Sequence, residues 1–527
     1  MMKKTITLLL SCLLISACSQ ESQTPTLLEV DTLIVNGLVY SGDIADPQTL
    51  AVGITDDTIV FVGDTTSQAV IAQQTIDADG MMVLPGFIDP HTHSAGDLKS
   101  TDRNANLNYL TQGVTTVFNG NDGGGSADIA AQFGLMEKQG IGTNVALFVG
   151  HGDIREQVMG RDNRDPTPEE MESMKALVDS AMDEGALGLS TGLFYVPDTY
   201  STTAEVVELA KVAAAKGGIY ESHIRDESNY NIGVKAAIAE LLQIGREAKI
   251  PVHIAHIKAL GVDVWGQSAD IIKMVEEAQQ NGQAVTADQY PWRASGTGLH
   301  KATVPSWALA GSEAEIQARF KNPELMPEIR AAMTENIRRR GGPDSLLIVT
   351  ALDEALLGKT IADLSKQWSL DPVDTVLKVL ALGVNNGGAR VASFNMSPDD
   401  IANFMVQPWV MTSSDGTNGH PRKYASFPTK YRHYVLEKSL MDVPTFVHRS
   451  SAQVAETFGI KNRGYIKPGY FADISIIDSE QFKPAATFRE WNQLTPGVIH
   501  QWVNGVQVIN NGEYTGALPG RGLRKGL

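Results

Sequence analysis

The chain has 527 residues, a net charge of −18 and 43% hydrophobic residues. This length fits a globular protein with a large core, either one barrel of about 250 residues with accessory domains or several separate domains. The acidic surface repels phosphate, which argues against a nucleic-acid partner.

The first residues are predicted to be an export signal, residues 1–17, followed by a polar tether, residues 18–27. Lys3 and Lys4 precede an apolar stretch over residues 5–16 that is too short to anchor the chain in a membrane. The sequence Ile15-Ser-Ala-Cys18 resembles a bacterial lipobox, which implies cleavage before Cys18 and lipidation of its thiol. The expected location is therefore the cell envelope, on a bacterial membrane and facing the periplasm. A plain secretory signal with an incidental Cys18 is the alternative.

Cysteine usage supports the same prediction. Cys12 and Cys18 are the only cysteines, and both lie in this first segment. The rest of the protein therefore forms no disulfide and offers no thiolate ligand to a metal.

Both ends of the remaining chain consist of short strand-like segments separated by turns, over residues 28–81 and 464–527. These two ends are most simply explained as one small β domain built from both termini.

Between them, over residues 82–463, strand-like and helix-like segments alternate, which indicates an α/β fold with a parallel sheet. Eight strand-like runs suit a TIM-type (β/α)8 barrel. The first opens the stretch Val83–Ser94, and the others are Gly113–Phe118, Asn144–Val149, Ala186–Ser190, Gly217–Tyr220, Pro251–Ala255, Gln283–Ala287 and Trp409–Thr412. Helical patterns are predicted at Ala127–Gln139, Thr167–Glu184, Thr203–Lys216 and Ile232–Ala248.

Polar residues follow the strands at the ends where such barrels carry their chemistry. His91 and His93 follow the first strand, and because they are two residues apart their side chains point the same way. His223 follows the fifth strand, His256 the sixth and Asp415 the eighth. His253 has the opposite parity to His256, so a regular strand cannot direct both into the barrel. This combination of residues predicts a metal site.

These positions belong to longer motifs, and with them the chain resembles the D-aminoacylase (N-acyl-D-amino-acid deacylase) branch of the amidohydrolase superfamily. The resemblance runs from about residue 30 to the C-terminus. Beyond the first strand it depends on Gly150-His-Gly-Asp-Ile-Arg155, Gly188-Leu-Ser-Thr-Gly192, His223-Ile-Arg-Asp-Glu227, His256-Ile-Lys258, Asp288-Gln-Tyr-Pro291, Ser414-Asp-Gly416 and His420-Pro-Arg422.

The resemblance implies a hydrolase that cleaves the amide bond of N-acyl-D-amino acids, or of short peptides with a C-terminal D-residue, through water activated by zinc. It implies that His223 and His256 hold a tightly bound Zn²⁺, and that His91 and His93 line a weaker second position. Asp415 would act as general base and acid. Three residues would bind the small-molecule substrate: Arg422 would grip the α-carboxylate, helped by Lys258 and Tyr290. A surface ion pair for Arg422 and Lys258, and a packed ring for Tyr290, are the alternatives.

One position departs from the family pattern. Where the family has Gly-Asn-Cys-Gly after the second strand, with the thiolate as a zinc ligand, this chain has Gly120-Asn-Asp-Gly123. Asp122 can donate an oxygen instead, but a carboxylate is a harder ligand and weakens selection for zinc over manganese or iron. Alternatively, Asp122 only shapes a glycine-rich turn. Glu221, two residues before His223, is a possible compensating ligand or orienting group, a hypothesis that unchanged metal content in Glu221→Gln would remove.

Residues 296–345 are predicted to be a helical insert before the last barrel strand, in a region where the family carries an insert that shapes the acyl pocket. Two alternatives to the deacylase stay open. A cyclic-amide hydrolase of the hydantoinase or dihydroorotase type is disfavoured, because such relatives usually bridge two metals with a carboxylated lysine after strand four, where this chain has Ser190-Thr-Gly192. A non-catalytic binding lipoprotein on an enzyme scaffold is the other. Oligomeric state cannot be inferred from the sequence.

Overall fold

The strands group into a sheet from the two chain ends, a barrel and a smaller sheet. A computed structural model of the protein describes residues 27–66, 68–382 and 388–526. In chain order the strands are β1 Leu28–Val39, β2 Gln48–Thr55, β3 Thr58–Gly63, β4 Val70–Asp77, β5 Met82–Pro85, β6 Phe87–Asp89, β7 Val114–Asn119, β8 Asn144–Leu147, β9 Val149–Gly150, β10 Gly188–Gly192, β11 Ile219–His223, β12 Val252–Ile254, β13 Val285–Gln289, β14 Ala294–Gly298, β15 Leu346–Ala351, β16 Ala389–Phe394, β17 Val410–Thr412, β18 Ile474–Ile477, β19 Val498–Val503, β20 Val506–Asn510 and β21 Glu513–Tyr514.

The α-helices are α1 Ala95–Leu98, α2 Leu107–Leu110, α3 Ile129–Gln139, α4 His151–Met159, α5 Pro168–Asp183, α6 Thr203–Ala215, α7 Val234–Ala248, α8 Ser268–Gln280, α9 Leu299–Thr303, α10 Glu313–Lys321, α11 Met326–Arg339, α12 Ile361–Trp368, α13 Pro372–Leu382, α14 Pro398–Met405, α15 Arg422–Thr429, α16 Val443–Ser450 and α17 Ala452–Phe458. A π-helix covers Lys430–Glu437. No helix in the described part of the chain is long and apolar enough to cross a membrane.

Strands from both chain ends form one sheet of nine strands, in the order β21-β20-β19-β18-β5-β1-β2-β3, with β4 also paired to β1. The ends meet where β18 pairs antiparallel with β5, so that Ile474 lies opposite Pro85. Apolar side chains from both ends, including Ile34, Val83 and Trp502, share one buried core. The predicted small β domain built from both termini is confirmed.

Eight strand positions, all parallel, form the barrel. Pairing runs from β6 through β7 to β8, and from β9 through β10, β11, β12 and β13 to β17. Only Phe148 separates β8 from β9, so these two short strands occupy one position. A parallel bridge between Thr92 and Gly416 connects the first position to the last. Every residue of Val114–Asn119 is buried, as expected for strands covered on both faces. The predicted (β/α)8 barrel is confirmed.

The helices around the barrel begin at the caps that their sequences provide. Thr167 accepts a hydrogen bond from the Glu170 backbone, and the Glu170 carboxylate accepts one from the Thr167 backbone, which together form a capping box at the start of α5. Pro168 occupies the first turn, where its missing N–H costs nothing. Thr202 caps α6 in the same way, by accepting from the Glu205 backbone. The four predicted helices are therefore present, as α3, α5, α6 and α7, with ends shifted by at most two residues.

The segment between β13 and β17 forms an insert with its own core. It contains the antiparallel sheet β14-β16-β15 and helices α9 to α13. Side chains such as Leu299, Ile348 and Val376 bury one another within it. The insert is longer than the predicted 296–345 and contains a sheet as well as helices. Its first strand, Ala-Ser-Gly-Thr-Gly, lacks the alternating apolar pattern that identifies a strand in a sequence.

Candidate active site

A cavity of about 460 Å³ lies at the carboxyl ends of the barrel strands. The loops after β6, β7, β10, β11, β12 and β17 line one part of it, and strand β14 of the insert lines another through Ser295, Gly296 and Thr297. This is the end of the barrel at which the sequence places the polar residues.

His91 and His93 lie just after β6, the first barrel strand, on one side of the cavity. The imidazole of His91 is fully buried, with Nε2 3.4 Å from Asp122 Oδ1 and Nδ1 3.3 Å from Glu221 Oε1. Nε2 of His93 lies 3.4 Å from Asp122 Oδ2 and 3.1 Å from Asp415 Oδ1. Glu221 therefore contacts the ring of His91, at the side away from Asp122.

His223 ends β11, and His256 follows β12. His223 Nδ1 and His256 Nε2 are 2.9 Å apart. Nδ1 of His256 lies 2.6 Å from the ammonium of Lys258, which also bonds to the carboxylate of Glu227. His253 points elsewhere, as its opposite parity predicts, with Nε2 2.9 Å from the carboxylate of Asp288.

Asp122 connects the two histidine pairs. Its Oδ1 lies 3.3 Å from His256 Nε2 and 3.8 Å from His223 Nδ1, while its Oδ2 faces His93. Two sets of side chains could each hold a metal ion, with ligand atoms within 4.8 Å of one another, and Asp122 belongs to both: His91, His93, Asp122 and Asp415, and Asp122, His223 and His256. The Asp122 backbone has φ +56°, a left-handed conformation that non-glycine residues adopt mostly where the surroundings impose it.

Asp415 joins the first set from the end of β17. It also has a left-handed backbone, with φ +45°. Its Oδ2 lies 2.7 Å from Nη1 of Arg422, and Oδ1 faces His93. Arg422 is 1% exposed. The guanidinium predicted to grip the substrate is paired with Asp415 in this structure, because Arg422 begins α15 directly behind the loop that carries Asp415.

Tyr290 lies between two cations at the cavity wall. The Lys258 ammonium is 5.6 Å and the Arg422 guanidinium carbon 4.8 Å from the centre of its ring. Tyr290 and Lys258 both line the cavity. Cys18 lies outside the described residues.

Charge coupling keeps the carboxylates of the site ionised. Burial alone raises the pKa of Asp122, but His91 and His256 outweigh it, so that the pKa lies well below its usual range. Burial likewise raises the pKa of Asp415, while Arg422 and His256 lower it to a value below the usual one. Burial lowers the pKa of His223 to about 4, an effect that Glu227 opposes only in part. Burial and Lys258 also tend to lower the pKa of His256, but Asp122 and Glu227 outweigh them and raise it to about 9. Because a neutral imidazole is the form that binds a metal, an ion bound here would displace the proton of His256.

The residues present fit a divalent metal ion. His91 Nδ1 and Nε2, Asp122 Oδ1 and Glu221 Oε2 are buried and have no hydrogen-bond partner among the described residues. Buried polar atoms without partners are rare because they are costly, and an ion bound by His91 Nε2 and Asp122 Oδ1 would satisfy both of these atoms at once. Imidazole nitrogens and carboxylate oxygens are ligands that Zn²⁺ accepts.

Other residues in or beside the cavity were missed in the sequence or seen only as parts of motifs. Asp288 accepts a hydrogen bond from the His256 backbone at 3.1 Å and so fixes the turn after β12. Its position at the end of the seventh strand was a usable signal. Lys301 and Arg390 reach the cavity from the insert, and no local pattern marks them.

Comparison with known proteins identifies the family. The Amidohydrolase family model matches residues 74–309. The D-aminoacylase of Alcaligenes xylosoxydans xylosoxydans is 30% identical over 522 residues, which cover 94% of this chain and 98% of that protein. The chain belongs to the D-aminoacylase family of amidohydrolases. It is a metal-dependent hydrolase that acts on amide bonds.

Solved structures of the D-aminoacylase family share the whole fold. A D-aminoacylase crystal structure has a TM-score of 0.80 at 27% identity, covering 94% of this chain and 100% of the other. The N-acyl-D-glutamate deacylase of Bordetella bronchiseptica, solved with zinc and a phosphonate inhibitor, has a TM-score of 0.79 at 29% identity, with the same coverage. The L-hydantoinase of Arthrobacter aurescens is more distant, with 16% identity and a TM-score of 0.54, and this likeness shows the fold alone. The cyclic-amide alternative is therefore disfavoured.

Proposed function

We propose that this protein hydrolyses the amide bond of N-acyl-D-amino acids, or of short peptides that end in a D-residue. The observation that carries the proposal is the position of Asp415, which faces the metal-binding histidines with one oxygen and Arg422 with the other. Similarity to a D-aminoacylase and to an N-acyl-D-glutamate deacylase supports the substrate class.

In this proposal a metal ion, held by His223, His256 and Asp122 with His91 and His93 at a weaker position, would activate water and polarise the amide carbonyl. Asp415 accepts the proton of the attacking water and passes it to the leaving nitrogen. Arg422 keeps Asp415 ionised and aimed at the reacting water through the 2.7 Å ion pair. Lys258 and Tyr290, which line the cavity, receive the α-carboxylate of the substrate.

Replacing Asp415 with asparagine tests this mechanism. The amide cannot accept the proton, so we expect kcat on N-acetyl-D-amino acids to fall by roughly 10²- to 10⁴-fold. N-acetyl-L-amino acids serve as the paired substrates for stereochemistry. Asp399→Asn, on an exposed residue of α14, is the matched control and should leave kcat unchanged. Hydrolysis by Asp415→Asn at the wild-type rate would contradict the proposed role.

We also propose that the mature protein is anchored through a lipid on Cys18 and works in the cell envelope. The proposal depends on the lipobox-like sequence before Cys18 and on the lack of other cysteines after it. The wild-type protein should then fractionate with membranes, and Cys18→Ser should release it; equal fractionation of the two proteins would contradict the anchor.

A further inference from the structure

Two cations of the insert face the cavity from one wall. Lys301 lies on α9, directly after β14, and Arg390 lies on the paired strand β16. Gly298, the last residue of β14, is opposite Arg390 in the antiparallel register. Both cations therefore lie at the same end of the β14–β16 ladder, and both line the cavity.

Neither cation has an anionic partner. Within the described residues, neither Lys301 nor Arg390 makes a side-chain hydrogen bond or ion pair; Lys301 contacts the ring of Tyr195, 4.6 Å from its centre. The cations at the metal end of the cavity differ, because Lys258 is paired with Glu227 and Arg422 with Asp415. Among the described residues, the cavity cations without an ion-pair partner are therefore those of the insert.

The surroundings make this unpaired charge unfavourable. Burial lowers the pKa of Lys301, and the neighbouring Arg390 lowers it further. Burial and the charge of Arg422 lower the pKa of Arg390 as well. Arg340, 2% exposed and directly after α11 of the insert, adds a third cavity-lining cation whose Nη1 has no hydrogen-bond partner among the described residues. Arg340 is almost fully buried and Arg390 half-buried, while the Lys301 side chain is exposed. An anionic ligand here would pair with charges that have no ion-pair partner and would offset the desolvation cost of the buried ones.

We propose that Lys301 and Arg390 bind a second carboxylate of the substrate, so that the preferred substrate is a dianionic N-acyl amino acid. This inference rests on the proposed function and narrows its substrate class. The first carboxylate is the α-carboxylate at Lys258 and Tyr290, and the second is carried either by the amino-acid side chain or by a dicarboxylic acyl group. The guanidinium of Arg390 offers a fork that matches a carboxylate, and Lys301 adds a point charge.

Three substrates of matched shape separate these possibilities. N-acetyl-D-glutamate has the second carboxylate on the side chain, N-succinyl-D-glutamine has it on the acyl group, and N-acetyl-D-glutamine has none. We expect the wild-type kcat/KM to be about 10- to 100-fold higher for one of the dianionic substrates than for N-acetyl-D-glutamine, the range for a hydrogen bond to a charged group. The preferred dianion identifies which part of the substrate faces the insert.

Variants connect the preference to the two residues. Lys301→Met and Arg390→Gln should each reduce kcat/KM for the preferred dianion by about 10-fold or more, while the value for N-acetyl-D-glutamine stays within about two-fold. Lys301→Arg keeps the charge and should keep the preference. Lys359→Met is the control, because Lys359 belongs to the insert but bonds to Gln367 outside the cavity. Unchanged turnover of N-acetyl-D-glutamine also reports that each variant is folded.

The outcomes distinguish the two levels of the proposal. If the wild-type kcat/KM for N-acetyl-D-glutamine equals that for both dianions, the inference is wrong and the deacylase function stands. The same conclusion follows if the variants keep the preference for the dianion. An equal loss on all three substrates also overturns the inference, because it places the α-carboxylate at Lys301 and Arg390. If the wild type hydrolyses none of the three but does hydrolyse other N-acetyl-D-amino acids, the inference is wrong and the deacylase function stands. If it hydrolyses no N-acyl-D-amino acid and no peptide with a C-terminal D-residue, the proposed function itself fails.

Discussion

Asp122 stands at the position where the family pattern has a cysteine, so we expect the metal site to differ there from that pattern. Its carboxylate contacts both histidine pairs, with oxygens 3.3 Å from His256 Nε2 and 3.4 Å from His93 Nε2. Carboxylate oxygen is a harder ligand than thiolate, so it favours ions such as Mn²⁺ more than a cysteine does. We infer that metal selectivity, rather than the reaction, is what the exchange of cysteine for Asp122 alters.

Replacing Asp122 with cysteine should therefore change which ion the protein selects. We expect the ratio of zinc to manganese bound in competition to rise by roughly 10-fold or more, because thiolate prefers the softer ion. Mass-spectrometric metal analysis after equilibration with both ions measures this without any assay of activity. Asp153→Cys adds a thiol to the same cavity away from both ligand sets and should leave the ratio unchanged. Equal ratios in Asp122→Cys and wild type would mean that Asp122 is not a ligand.

The ligand-forming residues could be predicted because their placement is local. His91 and His93 share a parity at a strand end, and each further site residue follows its own strand. Other contacts are not local. The ion pair of Arg422 with Asp415 depends on how α15 packs behind the cavity, and Lys301 reaches the site only through the β14–β16 pairing. A short stretch of sequence predicts neither the packing of α15 nor this strand pairing.

At the scale of elements, a buried ionic cluster joins α4 to α6 beside the cavity. His151 of α4 is fully buried, with Nε2 2.9 Å from Glu205 of α6 and Nδ1 3.4 Å from Asp198. Burial tends to lower the pKa of His151, but these two carboxylates raise it from 6.5 to about 9. The contribution of the His151 proton to the free energy of unfolding is therefore fully present below pH 6.5, and it is lost as the pH rises through 9.

Replacing His151 with glutamine should make the free energy of unfolding depend less on pH. Between pH 6.5 and 9.5 we expect the wild type to lose roughly 1–3 kcal/mol more than the variant, because only the wild type releases this proton. Urea unfolding at several pH values measures the difference. His433→Gln, on the exposed His433 of the π-helix, is the control and should follow the wild-type curve. Parallel curves for His151→Gln and wild type would show that His151 is not charged in the fold.

The elements themselves differ in how far sequence predicts them. Helices α5 and α6 have caps at their first residues and apolar faces toward the barrel, so their ends could be predicted closely. The insert could be predicted only in part, because Ala294–Gly298 is rich in small residues and becomes a strand through its antiparallel pairing with Ala389–Phe394. Tertiary pairing, rather than local preference, decides such a strand.

At the scale of the whole molecule, one buried carboxylate joins the terminal sheet to the barrel. Asp473, just before β18, forms an ion pair with Arg463, accepts a hydrogen bond from the Asn504 backbone at 2.7 Å, and accepts another from the Asn144 amide of β8 at 3.2 Å. Asp473 and Arg463 are both almost fully buried. The C-terminal part of the terminal sheet and the barrel are thus held by one connected polar network.

Replacing Asp473 with alanine should destabilise the protein strongly. The change leaves Arg463 buried and unpaired, and breaking a buried pair in this way costs about 3–5 kcal/mol. The free energy of unfolding in urea measures the loss. Asp43→Ala is the matched control, since Asp43 pairs with Lys467 at an exposed position and such pairs contribute about 0–1 kcal/mol. Similar losses in the two variants would contradict a central role for Asp473.

The insert has a further consequence for how this enzyme can change. Its hydrophobic core is distinct from that of the barrel, yet its strand β14 and the cations beside it form one wall of the cavity. Mutations can therefore accumulate on this wall of the cavity without disturbing the candidate metal ligands, all of which come from barrel strand ends. Such a division would let related hydrolases change their substrate range while their catalytic residues stay the same. It also makes the insert a suitable unit to exchange between relatives when a new specificity is wanted.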